Sequence, residues 1–183
     1  MQLFAGLFRI TSTSIINHNY MQKITPFLWF EDKVEEAVDF YVSIFKNSKI
    51  GRSTYYPKEA EEVSGKKAGE ISTIDFEIEG QKFTAINGGP PFKFSEAVSF
   101  IIDCNSQEEV DYYWDRLTEG GDVKAQICGW LKDKYGLSWQ VVPRVLEEML
   151  ADEDKEKAGR VMTAMLGMKK IIIADLQKAY DQK

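Results

Sequence analysis

A strand-like apolar run followed by an acidic, aromatic helical run occurs twice in this chain. Ile24 to Phe30 leads into Glu35-Glu36-Ala-Val-Asp-Phe-Tyr41, and Ala97 to Ile102 leads into Glu108-Glu109-Val-Asp-Tyr-Tyr113, with the paired glutamates 73 positions apart. Between the copies lies Asn87-Gly-Gly-Pro-Pro-Phe-Lys-Phe94. Glycine permits positive φ and proline removes a backbone donor, so this is the strongest punctuation in the sequence. Such a repeat predicts two copies of one unit, a strand, a helix and then more strands, meeting at the Gly-Pro seam. The 183 residues fit one compact domain or two half-size modules that share a core.

The first copy reads as β-α-β-β-β over residues 23–89. Ile24 to Phe30 is a strand with Pro26 near its start, where a missing N–H does least harm. Val34, Ala37, Val38, Tyr41 and Phe45 recur at helical spacing and predict a helix near 33–46, with Asp32 as its cap and Glu35, Glu36 and Asp39 facing water. Ile50 to Tyr56 is a second strand and Pro57 to Ala68 a solvated, charged loop. Ile71 to Ile78 alternates apolar and polar residues, as a half-buried strand does. Glu79-Gly80-Gln81 turns it, and Lys82 to Asn87 returns antiparallel.

The second copy covers residues 95–143. Glu96 to Asp103 is its first strand, and Ser106 with Glu109 forms a capping box for a helix near 106–119. Val110, Tyr113, Trp114 and Leu117 make that helix's apolar face, and Gly120-Gly121 ends it. Val123 to Cys128, Trp130 to Lys132 and Leu137 to Val142 are three shorter strands. The fold class is therefore α+β, two βαβββ modules, followed by a helical extension over 144–183. In that extension Leu146, Met149 and Leu150 mark one helix, and Val161, Met162, Met165, Leu166 and Met168 mark another. Asp175 caps a last one. Residues 1–22 read as a leader or appended tail outside the domain, with Met21 just before the first strand.

Composition excludes several function classes. A net charge of −6 and a pI near 5.0 argue against a nucleic-acid partner, which needs clustered Lys and Arg. No apolar run approaches the roughly 20 residues of a membrane span, so no membrane partner is expected. Cys104 and Cys128 have no CxxC partner, and a cytoplasmic chain with reduced thiols is the expectation. The single histidine, His18, lies in the leader, so a His-based triad and a typical zinc site are not expected in the domain.

The motifs Ile24-Thr-Pro-Phe-Leu-Trp-Phe30, Glu36-Ala-Val-x-Phe-Tyr41, Asn87-Gly-Gly-Pro90, Phe92-Lys-Phe94, Cys128-Gly-Trp-Leu-Lys-Asp133 and Gly136-x-Ser-Trp-Gln-Val-Val-Pro143 together resemble one family. So does the tail, Lys157-Ala-x-Arg-Val-Met-x-Ala-Met-Leu166 with Met168-Lys-Lys-Ile171. It is the PhnB-like branch, labelled 3-demethylubiquinone-9 3-methyltransferase, of the vicinal oxygen chelate (glyoxalase/bleomycin-resistance/dioxygenase) superfamily. The resemblance runs from about Lys23 to the C-terminus. It implies modules that curl into half-barrels, a cavity for a small-molecule ligand, and a homodimer. It also implies metal-ligand positions, which fall near Thr25, at Ala85 or Asn87, near Ala97, and at Gln140. Of these only Gln140 is a plausible ligand, so neither a metal nor another cofactor is expected.

Strand alternation then aims Phe27, Trp29, Asn87, Ser99 and Gln140 at the cavity, with Cys128 and Trp130 beside them. These seven are the candidate ligand-binding residues; no catalytic residue is identified. Trp130 serves equally as cavity wall or core, whereas Trp139 points by parity to the helix side. Cys128 reads as a nucleophile or, more simply, as a small buried hydrophobe, since no cation near it in sequence lowers its pKa. The glycines at 88–89 read as a turn, because Pro90-Pro91 follow where a phosphate loop needs helix N–H groups. Two functions follow: metal-independent binding of an apolar or aromatic molecule, or group transfer by an enzyme of the same superfamily. Against methyl transfer, Phe30-Glu31-Asp32-Lys33 lacks the glycine-rich turn that usually holds S-adenosylmethionine.

Overall fold

The computed structural model describes residues 22–182. The leader, with His18 and Met21, lies outside the described residues. The first module is β1 (Phe27–Phe30), α1 (Val34–Ile44), β2 (Lys49–Tyr55), β3 (Ile71–Ile78) and β4 (Gln81–Asn87), in a sheet of order β1-β4-β3-β2. β1 runs parallel to β4 and the other neighbours are antiparallel. The β3–β4 turn uses positive φ at both Glu79 and Gly80, the backbone of a two-residue hairpin turn with the sheet's own twist. The solvated loop of the first module contains a 3₁₀ turn and the one-turn α2 (Glu61–Ser64), with no buried residue in either.

The second module is β5 (Phe100–Cys104), α3 (Gln107–Thr118), β6 (Trp130–Lys132) and β7 (Ser138–Pro143), in a sheet of order β5-β7-β6. It departs from the predicted repeat in two places. Val123–Ala125 is a 3₁₀ turn and not a strand: the Asp122 carboxylate accepts from the Lys124 amide and winds the chain there. Val123 and Ile127, whose alternation mimics a strand, are exposed. The first strand also begins later than expected, at Phe100, because Ser95 to Val98 closes a turn on itself. Ala97 and Ser99 therefore precede the strand.

One core serves both modules. Leu28 and Phe30, then Val34, Ala37, Val38, Tyr41 and Ile44 of α1, pack on Ile74, Phe76, Phe83 and Ala85, and the same cluster continues into Val110, Leu117, Trp139 and Val141. The predicted apolar face of α1 is thus the buried one, and each of its large side chains contributes roughly 2 kcal/mol on burial. Its cap is different from the expectation. Asp32 makes no capping bond; Lys33 sits in the left-handed region, and the Val34 amide is taken by the Asn87 side chain at 3.0 Å. Ser106 does cap α3, accepting from the Glu109 amide, while Glu109 reaches back to the Asn105 amide.

The extension forms α4 (Arg144–Leu150), α5 (Lys155–Leu166) and α6 (Ile173–Asp181) around a small core of Leu146, Met149, Val161, Ile171 and Leu176. Asp175 lies in the first turn of α6 and does not cap it; the cap position is Ile172. The link 168–171 is fastened to the second module. The amides of Cys128 and Gly129 donate to the carbonyls of Met168 and Lys169, both at 2.8 Å. Gln107 holds both the Ile171 carbonyl and the Ile173 amide, and Lys170 pairs with Asp111 at 2.8 Å. No described helix is long and apolar enough to cross a membrane.

Candidate functional site

The seam motif builds one wall of a cleft. The parallel pairing of β1 with β4 runs on past Asn87, the Gly88 amide donating to Phe30 and the Gly89 amide to Glu31. This lays the Gly-Gly backbone against the Trp29 indole, whose Nε1 donates to the Gly89 carbonyl at 3.0 Å. A Cβ on Gly88 would fall 2.1 Å from Trp29 Cε2, so only glycine lets the loop lie this close. Phe92 then meets Trp29 edge to face at 4.9 Å, and Phe94 meets Phe30 at 5.1 Å.

Beyond these rings opens a cleft of about 820 Å³, bounded by Trp29, Phe92, Phe94 and Tyr135 and rimmed by four lysines, at 33, 93, 132 and 134, and three acids, Glu31, Asp32 and Glu36. Lys132 is paired with Glu96, and its ammonium holds the Glu96 carboxyl below the usual range. Lys134 lies over the Phe40 ring at 4.3 Å. The cleft therefore offers aromatic ring surface with charges of both signs at its edge.

The floor beside it is fixed by one buried carboxylate. Asp133 is 2% exposed and accepts four hydrogen bonds, from Tyr41 Oη at 2.9 Å and Trp139 Nε1 at 2.8 Å on Oδ2, and from the amides of Tyr135 and Leu137 on Oδ1. Burial raises its carboxyl above the ordinary carboxylate range, while the bonds from Trp139, Tyr41 and the two amides pull the other way. This residue, which the sequence shows only as the end of the Cys128–Asp133 motif, ties α1 of the first module to the β6–β7 turn of the second. Its signal was an acidic residue in a turn that immediately follows an apolar strand.

The seven predicted site residues fall into four places. Trp29 lines the cleft, and Phe27, two residues back on the same face of β1, is 56% exposed. Asn87 is turned the other way, its oxygen on the Val34 amide and its nitrogen on the Ile71 carbonyl, so it is not free to hold a ligand. Ser99, Gln140 and Trp130 meet on the open face of the second sheet, where Gln140 Nε2 donates to Ser99 Oγ at 2.9 Å and Trp130 stands opposite Gln140. Cys128 sits apart, in a left-handed conformation (φ 50°) beside the extension.

The residues at the family's metal positions do not fit a metal. Ala85 is fully buried toward α1, Asn87 is committed to the helix cap, Ala97 lies in a turn, and Gln140 is bonded to Ser99. No group of three His, Cys, Asp or Glu side chains converges among the described residues. Divalent transition metals want three or four such donors at one point.

Two strand–helix–strand modules, with their helices packed into a common core and an open face on each sheet, define a protein of the vicinal oxygen chelate fold. Within that fold, residues 22–142 match the 3-demethylubiquinone-9 3-methyltransferase family, and the chain belongs to it. It is 35% identical to the PhnB protein of Bacillus cereus, which carries the same methyltransferase description, over 67% of this chain and 99% of that one, with a TM-score of 0.57. A Pseudomonas aeruginosa protein (18% identity, 67% and 98% covered, TM-score 0.52) shares the fold. So does the fosfomycin resistance protein FosX of Listeria monocytogenes (20% identity, 73% and 99% covered, TM-score 0.51). No curated protein matches the chain.

Proposed function

We propose that this protein binds a small apolar or aromatic molecule without a metal, in the cleft walled by Trp29 and Phe92, and that it works as a cytoplasmic homodimer. The observation that carries the reading is the cleft itself: converging rings, about 820 Å³, at the junction of the two modules. Apolar pockets with a few polar groups at such junctions are the usual small-molecule sites. With Lys132 taken by Glu96, the rim sets Lys33, Lys93 and Lys134 against Glu31, Asp32 and Glu36, so it can meet a polar substituent of either charge on the ring. The dimer rests on the open sheet faces, where Phe27 and Ile101 are exposed, and two cysteines, both free, suit a reducing compartment.

The family description keeps group transfer as the second reading. S-adenosylmethionine is usually held by a doubly wound sheet with a glycine-rich turn after its first strand. Here β1 leads through Glu31-Asp32-Lys33 into α1. The test is fluorescence titration with 8-anilinonaphthalene-1-sulfonate, an aromatic anion, alongside calorimetric titration with S-adenosylmethionine. Saturable binding of the dye, weakened about tenfold by Trp29→Ala and by Phe92→Ala, supports the cleft. Dye binding indifferent to both substitutions overturns it, and heat from S-adenosylmethionine at one site per chain moves the assignment to group transfer. Light scattering at a mass near 21.0 kDa, that of one chain, ends the dimer.

A further inference from the structure

A second groove, of about 910 Å³, lies between the β3–β4 hairpin of the first module and the β5–α3 corner of the second. Its inner wall is aromatic: Phe83, Phe100, Tyr113 and Trp139. These rings are coupled, Phe83 to Phe100 at 5.3 Å and Phe100 to Trp139 at 5.6 Å, while Tyr113 stacks on Phe45 at 5.3 Å. Phe100 and Tyr113 are only half-buried and present ring surface to the opening. The rim is acidic. Glu79, Asp103, Glu108 and Glu109 face it against Lys46 and Arg144, four negative charges to two positive.

The two acids on α3 are partly occupied: Glu109 accepts from the Asn105 amide and side chain, and Glu108 is held low by its bond to Ser106. Glu79 and Asp103 have no side-chain hydrogen bond or ion pair among the described residues, and both line the groove. Two of the rim acids are felt at Tyr113, whose hydroxyl is pushed above its ordinary range by burial first and then by the Glu79 and Glu109 carboxylates.

We propose that this groove is a binding site for a flat aromatic cation, such as a protonated aromatic amine or an N-alkylated heterocycle, stacked on Phe100 and Tyr113 with its charge between Glu79 and Asp103. Ring faces attract cations, and an acidic cleft with low-dielectric walls concentrates them. The same features disfavour the other occupants of an open groove. A second copy docking groove to groove would set these four carboxylates against their own counterparts. An added strand along the free edge of β5 would meet Asp103, and charged residues on an edge discourage such pairing.

The test uses the full chain and the cationic acridine proflavine, titrated by fluorescence at low ionic strength. One site per chain is expected, weakened by added salt and unaffected by Trp29→Ala in the other cleft. The exposed, shape-conserving pair Glu79→Gln and Asp103→Asn should weaken binding at least about fivefold, with the melting temperature unchanged; Tyr113→Leu should do the same. Absence of saturable binding, or binding indifferent to these changes, overturns the proposal. So does a change of oligomeric mass in the Glu79→Gln, Asp103→Asn variant, which would make the groove an interface. An 8-anilinonaphthalene-1-sulfonate titration of the same variant stays normal, so failure here is separable from failure at the first cleft.

Discussion

Asp133→Asn keeps the shape of the buried hub and removes its charge, so its cost can be worked out bond by bond. The two carboxylate oxygens receive four hydrogens, from Tyr41, Trp139 and the amides of Tyr135 and Leu137, at 2.8–3.0 Å. An amide has one accepting oxygen. If that oxygen stays on the two backbone amides, the NH₂ group faces Tyr41 and Trp139. The tyrosine hydroxyl can turn and accept; the indole N–H cannot. One buried N–H is then orphaned, at about 1–3 kcal/mol. The bonds to the backbone fall from charge-assisted to neutral, roughly 1 kcal/mol each. Against this, a carboxylate no longer has to be stripped of water. The net expectation is a loss of about 2–4 kcal/mol. Urea unfolding followed by tryptophan fluorescence near neutral pH measures it, together with Tyr41→Phe, expected at about 1 kcal/mol. The double variant should lose less than the sum, since both changes break one bond. Stability of Asp133→Asn within about 0.5 kcal/mol of wild type, or strict additivity with Tyr41→Phe, would refute the hub.

Gly88→Ala should cost about 1–3 kcal/mol by overpacking, because Trp29 cannot step aside from a methyl at 2.1 Å while its Nε1 holds Gly89 and Phe92 lies across it. Altered tryptophan emission with a lowered melting temperature checks this, and an unchanged spectrum counts against the close approach. Cys104 is fully buried and its thiol is pushed up to about 12, by burial first and then by Glu109 and Asp103. A thiol reagent at pH 8 should therefore reach one cysteine in the native chain and two after denaturation. The folded pKa lies above the unfolded one, so the stability Cys104 contributes is complete below the ordinary thiol range and is lost as pH rises toward 12. Cys104→Ala should remove that alkaline slope; a slope that persists would assign it elsewhere.

The elements whose signals are local were legible from the chain. The 3.6 period of Val34, Ala37, Val38 and Tyr41 and the alternation of Ile74, Phe76 and Ile78 coincide with the buried faces. Ser106, three residues from Glu109, caps its helix as its spacing requires. What escaped is what depends on a distant partner. Val123 to Cys128 alternates like a strand, but the second sheet pairs no strand there, and a local Asp122 bond wins. Asn87 was aimed at the cavity by strand parity, yet it closes the strand and its side chain turns to an amide 53 positions earlier. Trp29, one of the candidates, lies on the cleft beside Phe92 and Phe94, which the sequence shows only as motif letters. Aromatic loop residues carry no period, and their contact with β1 exists only once the parallel pairing does.

The bond between Tyr41 and Asp133 spans 92 positions, and that distance imposes an order in time. A growing chain that has released only its first module holds a tyrosine meant for the interior with no acceptor for its hydroxyl. It also holds an apolar helix face whose covering layer, through Trp139 and Val141, has yet to be made. Long-range closures of this kind come late and slow the search for the native state. The halves share one interior, so a cut at the seam would leave Tyr41 without its acceptor and the α1 face without part of its cover.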